Sequence, residues 1–136
     1  MTRRFDRIRR VPRSGAESYL KKAKEFFESL RHALQIGQWN TAGLTAVHCA
    51  ISACDAVLVC FTEQRSASSD HEAAADLLES LSQVSGAGQK AETLRKILRH
   101  KNLIEYEDRP LTASEAHELA KLTERFFRWA KGLVEE

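Results

Sequence analysis

Two prolines in 136 residues, Pro12 and Pro110, leave the long interval between them without the residue that most reliably breaks a helix. Glycine is also scarce, at six, and runs of β-branched residues are rare, so the composition specifies an all-α protein of one domain. No apolar run approaches the roughly eighteen uninterrupted residues of a membrane span. The richest stretch, Thr41 to Phe61, is broken by His48 and Asp55, and no membrane association is expected. The N-terminal arginines are not followed by an apolar segment, so no secretory leader is expected either. Only three cysteines occur, Cys49, Cys54 and Cys60. Their spacings fit no zinc pattern and their odd number fits no disulfide framework, which points to buried free thiols and a cytoplasmic location.

Chemical signatures are equally sparse. The only glycine-rich turn, Gly86 to Gly88, follows no strand and cannot serve as a phosphate loop. There is no HExxH, and the five histidines (His32, His48, His71, His100 and His117) are scattered over the chain. Neither a metal nor a cofactor is expected. Ser52, His48 and Asp55 could be written as a hydrolase triad. Neighbours on one buried helix face cannot present a nucleophile beside an oxyanion hole, and that chemistry is set aside.

What is present is helical. Residues 1–13 hold six arginines and one aspartate and read as an extended or partly ordered arm, either phosphate-binding or solubilising. Residues 14–136 read as a single bundle. Ser14-x-x-Glu17 opens the first helix as a capping box, and Gly37 closes it. Between them Tyr19, Leu20, Ala23, Phe26, Phe27, Leu30, Ala33 and Leu34 form the inner face. A second helix, from Trp39 or Asn40 to Gln64, is apolar almost all round and so central. Its polar stripe is His48, Ser52 and Asp55, and an aspartate there needs a partner. A polar loop covers residues 65–69. Ser69-x-x-Glu72 is expected to cap a short third helix, and Val84 to Gln89 to form a mobile linker. Thr112-x-x-Glu115 caps a last helix whose inner face carries Leu119, Leu122, Phe126, Trp129, Ala130 and Leu133.

Between linker and last helix lies Leu94 to Arg109, LRKILRHKNLIEYEDR, expected to be helical and to end before Pro110. Arg95, Arg99, Asn102, Tyr106 and Arg109 fall on one face, opposite Leu94, Ile97, Leu98 and Ile104. This face is the candidate site. Lys101, Asn102, Glu105, Tyr106 and Arg109 are its binding candidates, with His48 and Asp55 as contributors if the second helix reaches it. In that event Asp55 would balance Arg95 or Arg99. Alternatively the stretch is a solvated surface, with Glu105 pairing to Arg109 across one helical turn.

The order of segments resembles the HEPN family of small bacterial and archaeal helical proteins, over about residues 14–134. His48-x-x-x-Ser52-x-x-Asp55-Ala56 and Lys101-Asn102-Leu103-Ile104-Glu105-Tyr106-Glu107-Asp108-Arg109 carry the resemblance. It implies a four- or five-helix bundle and a homodimer through the fourth-helix region. Many members belong to toxin–antitoxin, CRISPR or other defence systems. Active members are metal-independent RNases with an arginine, commonly followed by a polar residue, and a histidine after four to six intervening positions. In such a site the histidine moves the 2′-hydroxyl proton and the arginine stabilises phosphate charge.

Aligned on Asn102, this chain has Lys101 at the arginine position, and Glu105 and Tyr106 where the histidine would fall. A formal match, Arg95 and His100, occurs one turn earlier, but the two diverge by about 140° on a regular helix. The sequence therefore favours a non-catalytic HEPN-like dimer, a binding or accessory subunit beside a nucleotidyltransferase-type partner or in a toxin–antitoxin system, with RNA or a nucleotide as a further ligand. One alternative is a metal-independent endoribonuclease whose catalytic residues are Arg95, Arg99 and His100. The other is a generic helical protein-interaction module.

Overall fold

The computed structural model describes residues 7–68, 70–106 and 108–136. Among them are five helices and one two-stranded ribbon: α1 Ala16–Gln35, α2 Trp39–Thr62, α3 Glu72–Glu79, α4 Ala87–Tyr106 and α5 Ala113–Val134, with β1 Ile8–Arg10 paired to β2 Gln64–Ser66. The all-α bundle expected from composition is the fold.

Helix α1 buries Leu20, Ala23, Phe27, Leu30 and Ala33, the stripe anticipated for it, while Tyr19, Phe26 and Leu34 pack at its margin. It ends in a Schellman turn. Gly37 takes a φ of 72°, its N–H donates to the Leu34 carbonyl, and the Gln38 N–H donates to that of Ala33. A side chain at Gly37 would have to adopt the left-handed region, which glycine enters without penalty.

The reversal lays α2 antiparallel against α1. By length and composition alone α2 could cross a membrane, yet most of that stretch is enclosed by the other helices. Ala42, Ala46, Ala50, Ala53 and Ala56 are fully buried, and their small side chains allow α1, α4 and α5 to approach. Gly43 marks the tightest approach. A Cβ there would lie 2.6 Å from Leu111 Cδ2 and 2.9 Å from Ile104 Cδ1, so the last turn of α4 crosses the first turns of α2. On the far side Phe27 stacks on Phe127 of α5, with ring centroids 4.8 Å apart. Each such buried ring contributes about 1.5–3 kcal/mol through apolar burial.

Several local expectations are corrected. Helix α2 stops at Thr62 rather than Gln64, because Glu63 turns left-handed (φ 55°) and directs residues 64–66 into a strand where a loop was expected. The Ser14–Glu17 capping box does not form. Residues 13–15 make a 3-10 turn after Pro12, and Glu63 Oε2 accepts the Arg13 N–H at 3.0 Å, so the ribbon sets the entry into α1. The capping box at Ser69 lies outside the described residues. Around that position a ladder of side-chain turns leads from β2 to α3. Ser66 Oγ accepts from Ser68 N–H, Ser68 Oγ from Asp70 N–H, and Asp70 Oδ1 from Glu72 N–H, at 3.0–3.2 Å.

Residues 84–89 are not a linker. Leu81 and Val84 are buried, Gly86 (φ 82°) makes the turn, and α4 begins at Ala87, seven residues before Leu94. At the other end α4 is described to Tyr106, so Arg109 lies beyond it. The capping box at Thr112 does form: Thr112 Oγ1 accepts from Glu115 N–H at 3.1 Å and Glu115 Oε1 from Thr112 N–H at 2.9 Å. Asn40 Oδ1 accepts the Leu111 N–H at 2.8 Å, pinning the α4–α5 connection to the start of α2.

Candidate functional site

Helix α4 buries Leu94, Ile97 and Leu98, and half-buries Leu103 and Ile104, so its cationic side faces outward as its periodicity required. The charges on that side divide into three groups.

Arg95 is committed within the subunit. Its guanidinium bonds Asp76 at 2.8 Å, Glu79 at 3.1 Å and Glu92, with the side chain only 13% exposed. The hydrogen bonds it donates to Glu79, Asp76 and Glu92 hold its pKa above the usual value. It is a clamp between α3 and α4, and it does not balance Asp55.

Lys101 pairs with Glu105 at 3.0 Å, one turn along the helix. This bond is the main cause that holds the Glu105 carboxyl below its ordinary pKa. The expected Glu105–Arg109 pair gives way to two others because α4 ends too soon to carry Arg109 onto the same face. Arg109 instead forks onto Glu115 with two bonds of 2.8 Å and reaches the Pro110 carbonyl. That fork, followed by the Thr112 backbone bond, lowers the Glu115 carboxyl to about 2.

Arg99, Asn102 and Tyr106 remain exposed, spaced so that they share one face; Tyr106 is 75% exposed. Arg99, Lys101 and Asn102 form one wall of a small cleft of about 230 Å³, with Asp70, His71 and Glu72 opposite. His71 feels burial first, then Lys101 and His48, and all three lower its pKa against the opposing pull of Asp70 and Glu105. It is held neutral near pH 7. Sequence reasoning did not select His71, although its position at the start of α3, beside the side-chain ladder, is where a short helix would present it. His100 is not part of the cleft's lining, and its Nδ1 lies 3.0 Å from the Lys96 carbonyl.

The α2 stripe splits as well. His48 is exposed, stacks on Phe26 with centroids 5.4 Å apart, and influences both His71 and Glu105, so it does approach the α4 region. Asp55 faces the opposite end, buried beside Arg65 of β2 and under the influence of Lys22. The two do not form one network with α4. Cys49 and Cys54 are buried, with burial raising Cys49 to about 12, while Cys60 is only half-buried, contrary to expectation. Among the described residues no three His, Cys, Asp or Glu side chains converge as metal ligands would.

An antiparallel α1–α2 hairpin, a cationic α4 crossing it and a closing α5 make up the arrangement on which the resemblance rested. The HEPN domain family matches residues 16–133. The chain belongs to the HEPN domain family. A comparison with curated proteins found no match. Within this HEPN domain two arginines have a histidine after four to six intervening positions, Arg95 with His100 and Arg65 with His71. Arg95 is engaged by three carboxylates, and Arg65 lies 3.6 Å from the buried carboxylate of Asp55.

Proposed function

We propose that this HEPN domain is a non-catalytic binding or accessory subunit, homodimeric through the α4 region and cytoplasmic. Its partner would be a nucleotidyltransferase-type protein or a toxin–antitoxin counterpart, and RNA or a nucleotide its further ligand. One observation carries the reading. Arg95, the arginine of the Arg–His pair on α4, is already neutralised by Asp76, Glu79 and Glu92, so it is not available to hold phosphate charge. The His100 ring sits against a backbone carbonyl of its own helix, away from Arg95.

The dimer surface is supported by what the end of the bundle exposes. Tyr106 on α4 and Leu44 on α2 are large apolar side chains open to solvent, and the Gly43–Ile104 contact brings these two helix ends together.

The test is single-stranded RNA incubated with the protein in EDTA from about pH 5 to 8, where histidine chemistry would operate. No cleavage is expected, and His100→Ala should be indistinguishable from the parent. Cleavage that disappears in His100→Ala would establish the endoribonuclease alternative instead. In parallel, sedimentation should show a dimer that Tyr106→Ala weakens with its helical signal intact. A monomer would remove the dimeric accessory role and leave a simple interaction module.

A further inference from the structure

The ribbon β1/β2 takes no part in the α4 site, and its two strands carry Arg9, Arg10 and Arg65 with no acidic residue. Arg9 and Arg10 are exposed on β1, Arg7 is exposed just before it, and Arg13 is exposed in the turn that follows. None of these four guanidiniums makes an ion pair or hydrogen bond among the described residues, in contrast to Arg95 and Arg109.

The register adds a second observation. Arg9 stands directly opposite Arg65 in the antiparallel pair, a like-charge juxtaposition that is unfavourable without a counter-charge. Arg65 lies over the Tyr19 ring at 5.4 Å, and Lys22 approaches the same ring at 5.6 Å. The carboxylate beside this group is Asp55, buried and 3.6 Å from Arg65 Nε, and that nitrogen is itself buried and makes no hydrogen bond. Of the other acids nearby, Glu63 accepts the Arg13 backbone N–H with Oε2, and Glu17 and Glu136 line the cavity beside Arg13. Cations on β1, β2 and α1 thus outnumber the anions that face them.

We infer that this ribbon is a docking surface for a nucleic-acid strand, gripped through its phosphates. The guanidinium fork matches a phosphate's oxygens with two parallel hydrogen bonds, and arginines recurring along an extended strand meet an equally extended row of charges. A membrane surface would require apolar or aromatic anchors beside the cations. A protein partner would require a buried apolar centre. The ribbon offers neither: the large exposed apolar residues, Ile36, Leu44 and Tyr106, lie on other elements, and Ile8 is half-buried. The inference does not depend on the α4 reading, since binding here requires no cleavage and no dimer.

The experiment is fluorescence anisotropy with labelled oligo-U and oligo-dT of about twenty nucleotides, longer than typical single-strand site sizes, across a salt series. Four phosphate contacts predict a slope of log affinity against log salt near −3, at about 0.7 per contact. Arg9→Glu with Arg10→Glu should halve that slope and weaken binding at least about tenfold at low salt. Arg31→Glu with Arg125→Glu, the same charge change on exposed positions of α1 and α5, should leave the slope unchanged. Circular dichroism checks folding, and Arg9→Gln with Arg10→Gln provides a milder pair should the reversal disturb the ribbon. Equal loss in the α1/α5 control, no loss in the ribbon variants, or no binding by the parent at low salt would overturn the inference. So would tighter binding to polyglutamate or to anionic vesicles than to either strand.

Discussion

Asp55 permits a quantitative test of the interior. Its side chain is 7% exposed, and burial holds its carboxyl at about 6 against an ordinary 3.8, in spite of the attraction of Arg65 and Lys22. The Arg65 contact explains why attraction loses. At 3.6 Å, with no hydrogen bond from Nε, it supplies charge without the directed bond that would offset desolvation. The folded state therefore binds this proton more tightly than the unfolded chain. A raised acid contributes in the opposite direction from the usual carboxylate: stability increases as pH falls through 6 towards 3.8 and is lower at pH 7. A shift of about two units corresponds to about 3 kcal/mol.

Asp55→Asn keeps the shape and cannot titrate. Whatever the absolute stabilities, the gap between variant and parent should move in favour of the variant by about 3 kcal/mol from pH 3.5 to pH 7.5. Urea unfolding at constant ionic strength measures this. With slopes of about 1–3 kcal/mol/M, the difference in midpoints should change by about 1–3 M over that range. Other titrating groups cancel in the comparison because they are common to both proteins. A gap that stays flat, or that moves towards the parent as pH rises, would mean that Arg65 and Lys22 outweigh burial, and the account of this corner would be wrong.

Three further perturbations probe the clamp on α4 and the start of α5. Arg95→Met leaves Asp76, Glu79 and Glu92 facing one another without their cation and should cost about 1–2 kcal/mol in urea unfolding, with Arg95→Lys intermediate because it keeps the charge and loses the fork. Thr112→Ala removes the side-chain half of the α5 capping box and should cost about 1 kcal/mol, read as a melting temperature lower by about 4 °C. Glu115 is held down to about 2 chiefly by Arg109, so its contribution is complete above 4.5 and fades as pH falls towards 2; Glu115→Gln should flatten the acid limb of the stability profile in that window and leave pH 7 behaviour governed by the cap alone.

The helices and their inner faces were legible because burial imposes a 3.6-residue period, which α1 and α5 display plainly and α4 more weakly. Gly37 and Thr112 were legible for the same local reason: each completes its motif within a few residues. What escaped depends on distant partners. Ser14 and Glu17 satisfy the capping pattern, yet Glu63, fifty residues from Arg13, claims the backbone first. The ribbon has no alternation of apolar and polar residues, since Arg9 and Arg10 are both exposed, and so lacks the signature of a half-buried strand. The Ser66, Ser68, Asp70, Glu72 spacing of two was a usable signal for successive side-chain turns. The glycines at 86 and 88 misled because Leu81 and Val84, just before them, anchor the turn. The α4 region was legible as a candidate site, but its ion pairs were not. Glu105 had a cation one turn away on either side, and only the end of α4 at Tyr106 decides between them.

That choice narrows what α4 can do. Of the five residues on its cationic face, Arg95 is tied to α3 and Arg109 to α5, which leaves Arg99, Asn102 and Tyr106 to meet a partner. One exposed guanidinium, an amide and a phenol make a surface suited to directional hydrogen bonds and aromatic contact, and they supply too little charge to bind a polyanion tightly. The denser unpaired charge sits on the β ribbon. If, as proposed, the ribbon grips phosphates and α4 meets a second protein, substitutions in α4 should change assembly at constant salt dependence, whereas substitutions in the ribbon should change salt dependence at constant assembly.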